Sequence, residues 1–358
     1  MEQLVHGGDV YGLAREYDGP ILDFSANISP LGMPEGVRRA AARSLEDCAR
    51  YPDPLCRELR GAISAHLGIP AGQILCGNGA ADLIFRLALA ARPRRALVPM
   101  PTFAEYAQAL GAVGCEVRPH FLREEDGFLL TPAVLGELGA SAGETGLLCL
   151  CNPNNPTGQP IPQDLLLEIL TLCRDRGTRV LLDECFVPFL DDPEANTLLP
   201  RLGEFPNLVV LRAFTKLYAM AGLRLGFCLS ADTGLLEGMS RCAQPWAVSI
   251  PAQAAGVAAL GETDYVRRVR ELVRRERGYL RDGLAALGMG VVGSRANYLF
   301  FRGPREDLAR RLRGEGILLR DCGNYPGLPG GWYRAAVRTR EENRRFLAGL
   351  KKVLEESS

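Results

Sequence analysis

Amine chemistry is the first possibility this chain offers. Of its 42 lysines and arginines only three are lysines, and two of them, Lys351 and Lys352, stand in the C-terminal tail. Lys216 is therefore the one lysine expected in the folded body. Arginine stays protonated in proteins, whereas a lysine amine in a dry pocket or beside another cation can lose its proton and condense with an aldehyde. The competing reading of any single lysine is a solvated surface charge, and the surrounding pattern has to decide.

That pattern contains two more groups placed like Lys216. Asn155 lies in the run NPNNPTG from residue 152, Asp183 closes RVLLD, and Lys216 closes RAFTK. Each follows a short apolar run. Parallel sheets bind ligands beyond the carboxyl ends of their strands, so the three are expected to meet in one crevice. A turn, Gly77-Asn78-Gly79-Ala80-Ala81-Asp82, joins the apolar residues 74–76 to a helical pattern. Backbone N–H groups at such a helix start suit a dianion, with Thr215 and Arg224 able to add a hydroxyl and a guanidinium. Taken alone, the same glycines are simply a turn.

The elements that must position these groups follow from periodicity. Residues 95–98, 146–151, 179–182 and 208–211 are near-continuous apolar runs of the kind a parallel sheet buries on both faces, and 80–91 and 163–176 read as helices between them. The alternation predicts an α/β domain with a mainly parallel sheet. Beyond residue 245 the pattern changes to a long helix over 264–287, a strand over 296–301 and a closing helix from 341. The expected division is an N-terminal arm contributing to the small domain (1–35), a large α/β domain (36–245) and a small α+β domain (246–358). The arginines at 267 to 277 are interleaved with Glu271 and Glu276, and Val266, Val269, Leu272 and Val273 form a stripe. A solvated amphipathic helix is expected there rather than a nucleic-acid surface.

Composition narrows the function class. Acidic and basic residues balance at 42 each, which argues against nucleic acid or an anionic membrane as a general partner. No secretory leader and no run of about 18 apolar residues is present, so a cytoplasmic, membrane-free protein is expected. Eleven cysteines without a Cys-x-x-Cys pair, and only His6, His66 and His120, predict structural thiols and no metal centre.

RYPDP (50–54), GNGAADLI (77–84), NPNNPTG, LLDE (181–184) and FTKLYAMAGLRLGF (214–227) occur in one order across almost the whole chain. In this combination the sequence resembles the fold-type I pyridoxal phosphate (PLP) enzymes, the aspartate aminotransferase-like transferases, in their histidinol-phosphate aminotransferase-like branch. The resemblance implies that Lys216 carries the cofactor, Asp183 pairs with its pyridinium nitrogen, Asn155 donates to O3′ and Phe103 stacks on the ring. Gly79, Ala80, Ala81, Thr215 and Arg224 would surround the cofactor phosphate. Tyr51, from RYPDP, would reach the phosphate held by a neighbouring subunit, which implies a homodimer with shared active sites.

Arg334, in WYRAAVRT, matches the arginine that grips a substrate α-carboxylate, and Arg320, in ILLRD, a second one at the phosphate end. Together they imply a phosphorylated amino acid as substrate. The N-terminal His6-Gly7-Gly8 and DFSANISPLG (23–32) resemble the decarboxylases of this branch that act on L-threonine O-3-phosphate, with His6, Gly7 and Asn27 as substrate residues. That implies formation of (R)-1-amino-2-propanol O-2-phosphate for cobalamin biosynthesis, with Lys216 returning a proton to Cα. Phe186 stands where aminotransferases of the family carry a tyrosine. The alternatives are a histidinol-phosphate aminotransferase, dependent on a keto acid, and a non-catalytic cofactor-binding module. Two departures from the pattern are Ala213, where relatives place a hydroxyl residue, and Asp9, a carboxylate that would oppose a phosphate if it faced inward.

Overall fold

The computed structural model describes residues 6–140 and 144–356. A short strand β1 (Leu22–Asp23) precedes β2 (Ile74–Gly77), β3 (Arg95–Met100), β4 (Glu116–Phe121), β5 (Leu147–Cys151), β6 (Arg179–Asp183), β7 (Leu208–Ala213) and β8 (Gly226–Leu229). The last seven form one sheet in the order β2-β8-β7-β6-β5-β3-β4. Strands β3 to β7 pair in parallel, whereas β8 runs antiparallel to both of its neighbours. That one reversed strand has no signature in the apolar pattern, because a strand buried on both faces looks the same in either direction.

Burial on both faces explains the central strands. All five residues of β5 are buried, and alternate side chains enter different cores. Leu147, Cys149 and Cys151 join Leu83, Leu87, Tyr106 and Leu236 on one face. Leu148 and Leu150 join Leu59, Ile63, Leu166 and Ile169 on the other. Cys149 and Cys151 are thus packing residues on a strand. All eleven cysteines are free, and nine of them are buried.

The second body has β9 (Gly290–Val292), β10 (Tyr298–Arg302), β11 (Ile317–Leu318), β12 (Arg320–Asp321) and β13 (Trp332–Ala336), with a sheet order of β12-β13-β10-β9. The N-terminal arm joins it: β1 pairs in parallel with β11, and the fully buried Phe24 stacks on Phe346 at 4.4 Å. Burying a phenylalanine ring is worth about 1.5–3 kcal/mol, enough to hold the arm.

Two expectations change. The helix Ile250–Leu260 packs Ala252, Ala255 and Ala259 with Val37, Leu59 and Ile63 in the core that serves the large sheet, while only Leu280 and Leu284, late in the helix Thr263–Ala286, enter the small-body core. We therefore propose that the division expected at residue 245 be moved inside that long helix. Lys351 and Lys352 do not form a loose tail. They lie on the helix Arg340–Glu355, exposed and paired with Glu355 at 3.7 Å and Glu315 at 2.7 Å, so the argument from lysine scarcity rests on their exposure rather than on their absence from the fold. The arginine-rich helix is amphipathic as read: Val269 and Val273 are buried, and Arg267 pairs with Asp264 and Glu271. Among the described residues no helix is long and apolar enough to cross a membrane, and no cluster of three potential metal ligands occurs.

Candidate active site

Strands β5, β6 and β7 are neighbours in the sheet, with Cys151 opposite Asp183 and Asp183 opposite Leu211. Their carboxyl ends therefore deliver Asn155, Asp183 and Lys216 to one place. A cavity of about 240 Å³ opens there, lined on the cofactor side of the expectation by Ala80, Ala81, Phe103, Asn155, Asp183, Thr215, Lys216 and Arg224. His6, Gly7, Asn27, Arg320 and Arg334 line the same cavity. Gly79 lies directly behind it as the residue before the helix Ala80–Ala91.

Lys216 makes no side-chain hydrogen bond or ion pair with the described residues, while its backbone carbonyl accepts from Ser29 N at 2.9 Å. Burial is the main influence on its amine, and the Arg334 guanidinium is the second. Together they pull it down from the ordinary lysine range to about 8. An amine in that range spends a useful fraction of time unprotonated near neutral pH.

Asp183 is buried, and burial pushes its carboxyl upward. Three donors oppose that push: the Cys185 thiol, the Cys185 backbone N–H at 2.9 Å and the Tyr106 hydroxyl at 2.7 Å. Tyr106 itself is fully buried, and its phenol is driven well above the usual range, so it stays a donor. The arrangement keeps a carboxylate available on the cavity floor.

The anion cradle is built from backbone. Gly79 has φ +85°, and a Cβ there would sit 2.6 Å from an Arg224 terminal nitrogen. Only glycine lets the guanidinium close on the helix start. Arg224 is itself in the left-handed region, at φ +59°, with Nη1 donating to Ala221 O at 3.2 Å. Ala213 lines the cavity from β7 and offers no hydroxyl, so Thr215 is the hydroxyl residue on this side.

On the substrate side Arg334 is buried, donating through one terminal nitrogen to Asn155 Oδ1 and through the other to Ser25 O at 2.6 Å. Its Nε is buried without a partner, as is Asn27 Oδ1. Unpaired buried polar atoms cost stability, and their presence beside a cavity marks where a ligand completes the network. Arg320 is held by Asn324 Oδ1 at 2.8 Å and lies over the Tyr325 ring at 5.0 Å.

The His6-Gly7-Gly8 segment lies against Ser25. A Cβ on Gly7 would meet Ser25 O at 2.4 Å, and Gly8 N donates to Ser25 Oγ at 2.7 Å. His6 Nε2 faces Glu105 Oε1 at 2.9 Å. Asp9 faces away from the cavity: it caps the short helix Val10–Leu13 by accepting from Gly12 N at 3.0 Å, 3.9 Å from Arg313. Phe186 is buried edge-on against Tyr298 at 5.0 Å and lines the cavity without a hydroxyl. Tyr51 is outside the cavity of its own chain, largely exposed and stacked on Trp246 at 4.1 Å.

Sequence reasoning missed Ser25, Glu105, Tyr106, Cys185 and Tyr325 at this site. Tyr106 carried no periodic signal, because it lies in the first turn of the helix Glu105–Gly111 whereas Phe103, edge-on to it at 5.7 Å, precedes that helix. Ser25 carried none, because it serves Arg334 through a backbone carbonyl that any residue has.

An unpaired low-pKa amine, a floor carboxylate and a backbone anion cradle fit pyridoxal phosphate feature by feature. The model for aminotransferase class I and II matches residues 19–350, and the chain belongs to that family, with its fold-type I α/β architecture. It is 41% identical over 355 residues to the threonine-phosphate decarboxylase of Salmonella typhimurium, a match covering 98% of this chain and 96% of that one. A histidinol-phosphate aminotransferase of Cupriavidus pinatubonensis is 34% identical over 98% of this chain and 93% of its own. The structure of the histidinol-phosphate aminotransferase from Clostridium acetobutylicum aligns with a TM-score of 0.87 at 26% identity, covering 94% of this chain and 100% of that one.

Proposed function

We propose that this chain is a pyridoxal phosphate-dependent lyase that converts L-threonine O-3-phosphate into (R)-1-amino-2-propanol O-2-phosphate, a cobalamin building block, as a cytoplasmic homodimer. One observation carries the reading: a single amine near pKa 8 shares its cavity with two fixed guanidinium groups, Arg334 and Arg320. A substrate carrying a carboxylate and a phosphate matches the two guanidinium groups, and its amine would take the place of Lys216 on the cofactor. The identity to a threonine-phosphate decarboxylase over nearly the full length supports the same choice.

Lys216 would hold the cofactor covalently, Asp183 would face its ring nitrogen, Asn155 its ring oxygen and Phe103 its ring face. Gly79, Ala80, Ala81, Thr215 and Arg224 would hold its phosphate, joined by Tyr51 from a second copy. When bound, pyridoxal phosphate supplies an aldehyde for the substrate amine and a ring that accepts the electron pair left as CO₂ departs. Arg334 is suited to the α-carboxylate, because its Nε is an unused donor beside two fixed terminal nitrogens. Arg320 and His6 would take the phosphate end, and Asn27 would meet the carboxylate side. Asp183 keeps a negative charge against the ring nitrogen, which favours electron flow into the ring. Lys216 Nζ would be the group placed to return a proton to Cα.

The test is a paired assay on the cofactor-loaded enzyme. Phosphothreonine alone should release CO₂ and the amino alcohol phosphate. Strict dependence on 2-oxoglutarate would instead establish the second reading, transamination of histidinol phosphate, which the fold likeness to such an enzyme favours. Cofactor binding without turnover of either substrate would leave only the non-catalytic reading.

A further inference from the structure

Glu105 is out of keeping with its surroundings. The cavity is lined by Lys216, Arg224, Arg320 and Arg334, and its carboxylates are Asp183 and Glu105. Asp183 has a task on the floor, whereas nothing in the reading above uses Glu105. A carboxylate near an anionic substrate opposes binding by simple charge repulsion. Glu105 Oε2 is also buried without a donor, a cost that a residue chosen only for packing would not carry. What the side chain does make is one contact, from Oε1 to His6 Nε2 at 2.9 Å.

His6 is half exposed, on a segment held at Gly8 by Ser25. Without Glu105 its ring would be held only loosely, by the Phe103 ring 6.2 Å away. With Nε2 engaged, Nδ1 is the nitrogen left for a ligand. Only the doubly protonated ring donates at both positions, one N–H to the carboxylate and one to a phosphate oxygen.

We infer that Glu105 is a positioning residue that acts through His6, aiming the imidazole at the substrate phosphate and so setting the preference for phosphorylated over unphosphorylated amino acids. This rests on the proposed phosphothreonine reading. Glu105 touches no reacting atom; it acts by engaging Nε2 and so fixing which ring nitrogen is left for the phosphate.

A double-mutant cycle on the cofactor-loaded enzyme tests it, with Glu105→Ala, Glu105→Gln, His6→Ala and the pair His6→Ala with Glu105→Ala. Loss of a charge-assisted hydrogen bond should raise KM for phosphothreonine by about tenfold in Glu105→Ala, the loss falling on KM rather than kcat. The preference over L-threonine should fall by the same factor. Glu105→Gln, whose amide oxygen still accepts from Nε2, should recover part of it. Adding Glu105→Ala to His6→Ala should change nothing further. An equal penalty with and without His6, or a loss confined to kcat, overturns the proposal. If the wild type fails to turn over phosphothreonine, the functional reading fails by itself, and inorganic phosphate binding followed by the NMR signals of the His6 ring still decides the role of Glu105. Signals that move with phosphate in the wild type but not in Glu105→Ala support it; equal movement in both overturns it.

Discussion

The floor and the mouth of the cavity are built in different ways. Asp183 closes β6, where sheet register sets it opposite Leu211, and Lys216 follows the adjacent, largely buried β7 by three residues. His6, Gly7, Arg320 and Glu105 come from three separate places, an N-terminal segment, a two-residue strand and the first turn of a short helix, none of them part of the large sheet. The difference teaches where generality ends. A floor that the sheet enforces suits chemistry shared by a family, while a mouth assembled from separate segments can be altered without disturbing the core.

The comparison breaks most sharply at Lys216. Lys216→Ala removes the amine proposed both to hold the cofactor and to return the proton, and CO₂ release should fall by about 10⁴-fold or more. A rate within about tenfold of the wild type would mean that the floor is not where the chemistry happens.

Cofactor capture offers a second test of the floor. The neutral amine is the nucleophile, and its population drops tenfold per pH unit below its pKa. The rate of pyridoxal phosphate attachment to the cofactor-free protein, followed by absorbance, should rise roughly 50-fold from pH 6 to 8 and by only about twofold more above that, since burial brings Lys216 to about 8. A rise continuing to pH 10 would show that the amine is not desolvated.

Tyr106→Phe removes one of the donors to Asp183. The carboxylate loses stabilisation, its pKa rises further, and the acid limb of the rate profile should move to higher pH with a fall in kcat of about two- to tenfold. A profile unchanged in position would reduce Tyr106 to packing.

The smallest effect belongs to the mouth. Asp9→Asn keeps a good helix cap, so stability should change by less than about 0.5 kcal/mol and KM for phosphothreonine should hold. A clear drop in KM would show that Asp9 reaches the substrate phosphate after all.

Legibility followed the same division. Asn155, Asp183 and Lys216 could be read because each closes an apolar run, and the helix over 80–91 ended where the pattern said. Arg320 and Arg334 came from the resemblance alone, since an arginine on a short strand is ordinarily a surface ion pair. Glu105 was hidden as the acidic first residue of a helix, a position that carboxylates occupy for the helix dipole anyway. The reversal of β8 and the continuation of the large core into residues 250–273 are decided by packing partners far away in sequence, which no local period records.

The loop from Ser25 to Ser29 works as a caliper. One jaw is Ser25 O, 2.6 Å from the Arg334 guanidinium; the other is Ser29 N, 2.9 Å from the Lys216 carbonyl. The spacing between Lys216 and Arg334 is therefore bridged by an N-terminal segment as well as by the two sheets that carry them. Lengthening that loop by a single residue would change the separation of Arg334 and Lys216 while leaving the pairing of strands β5 to β7 intact.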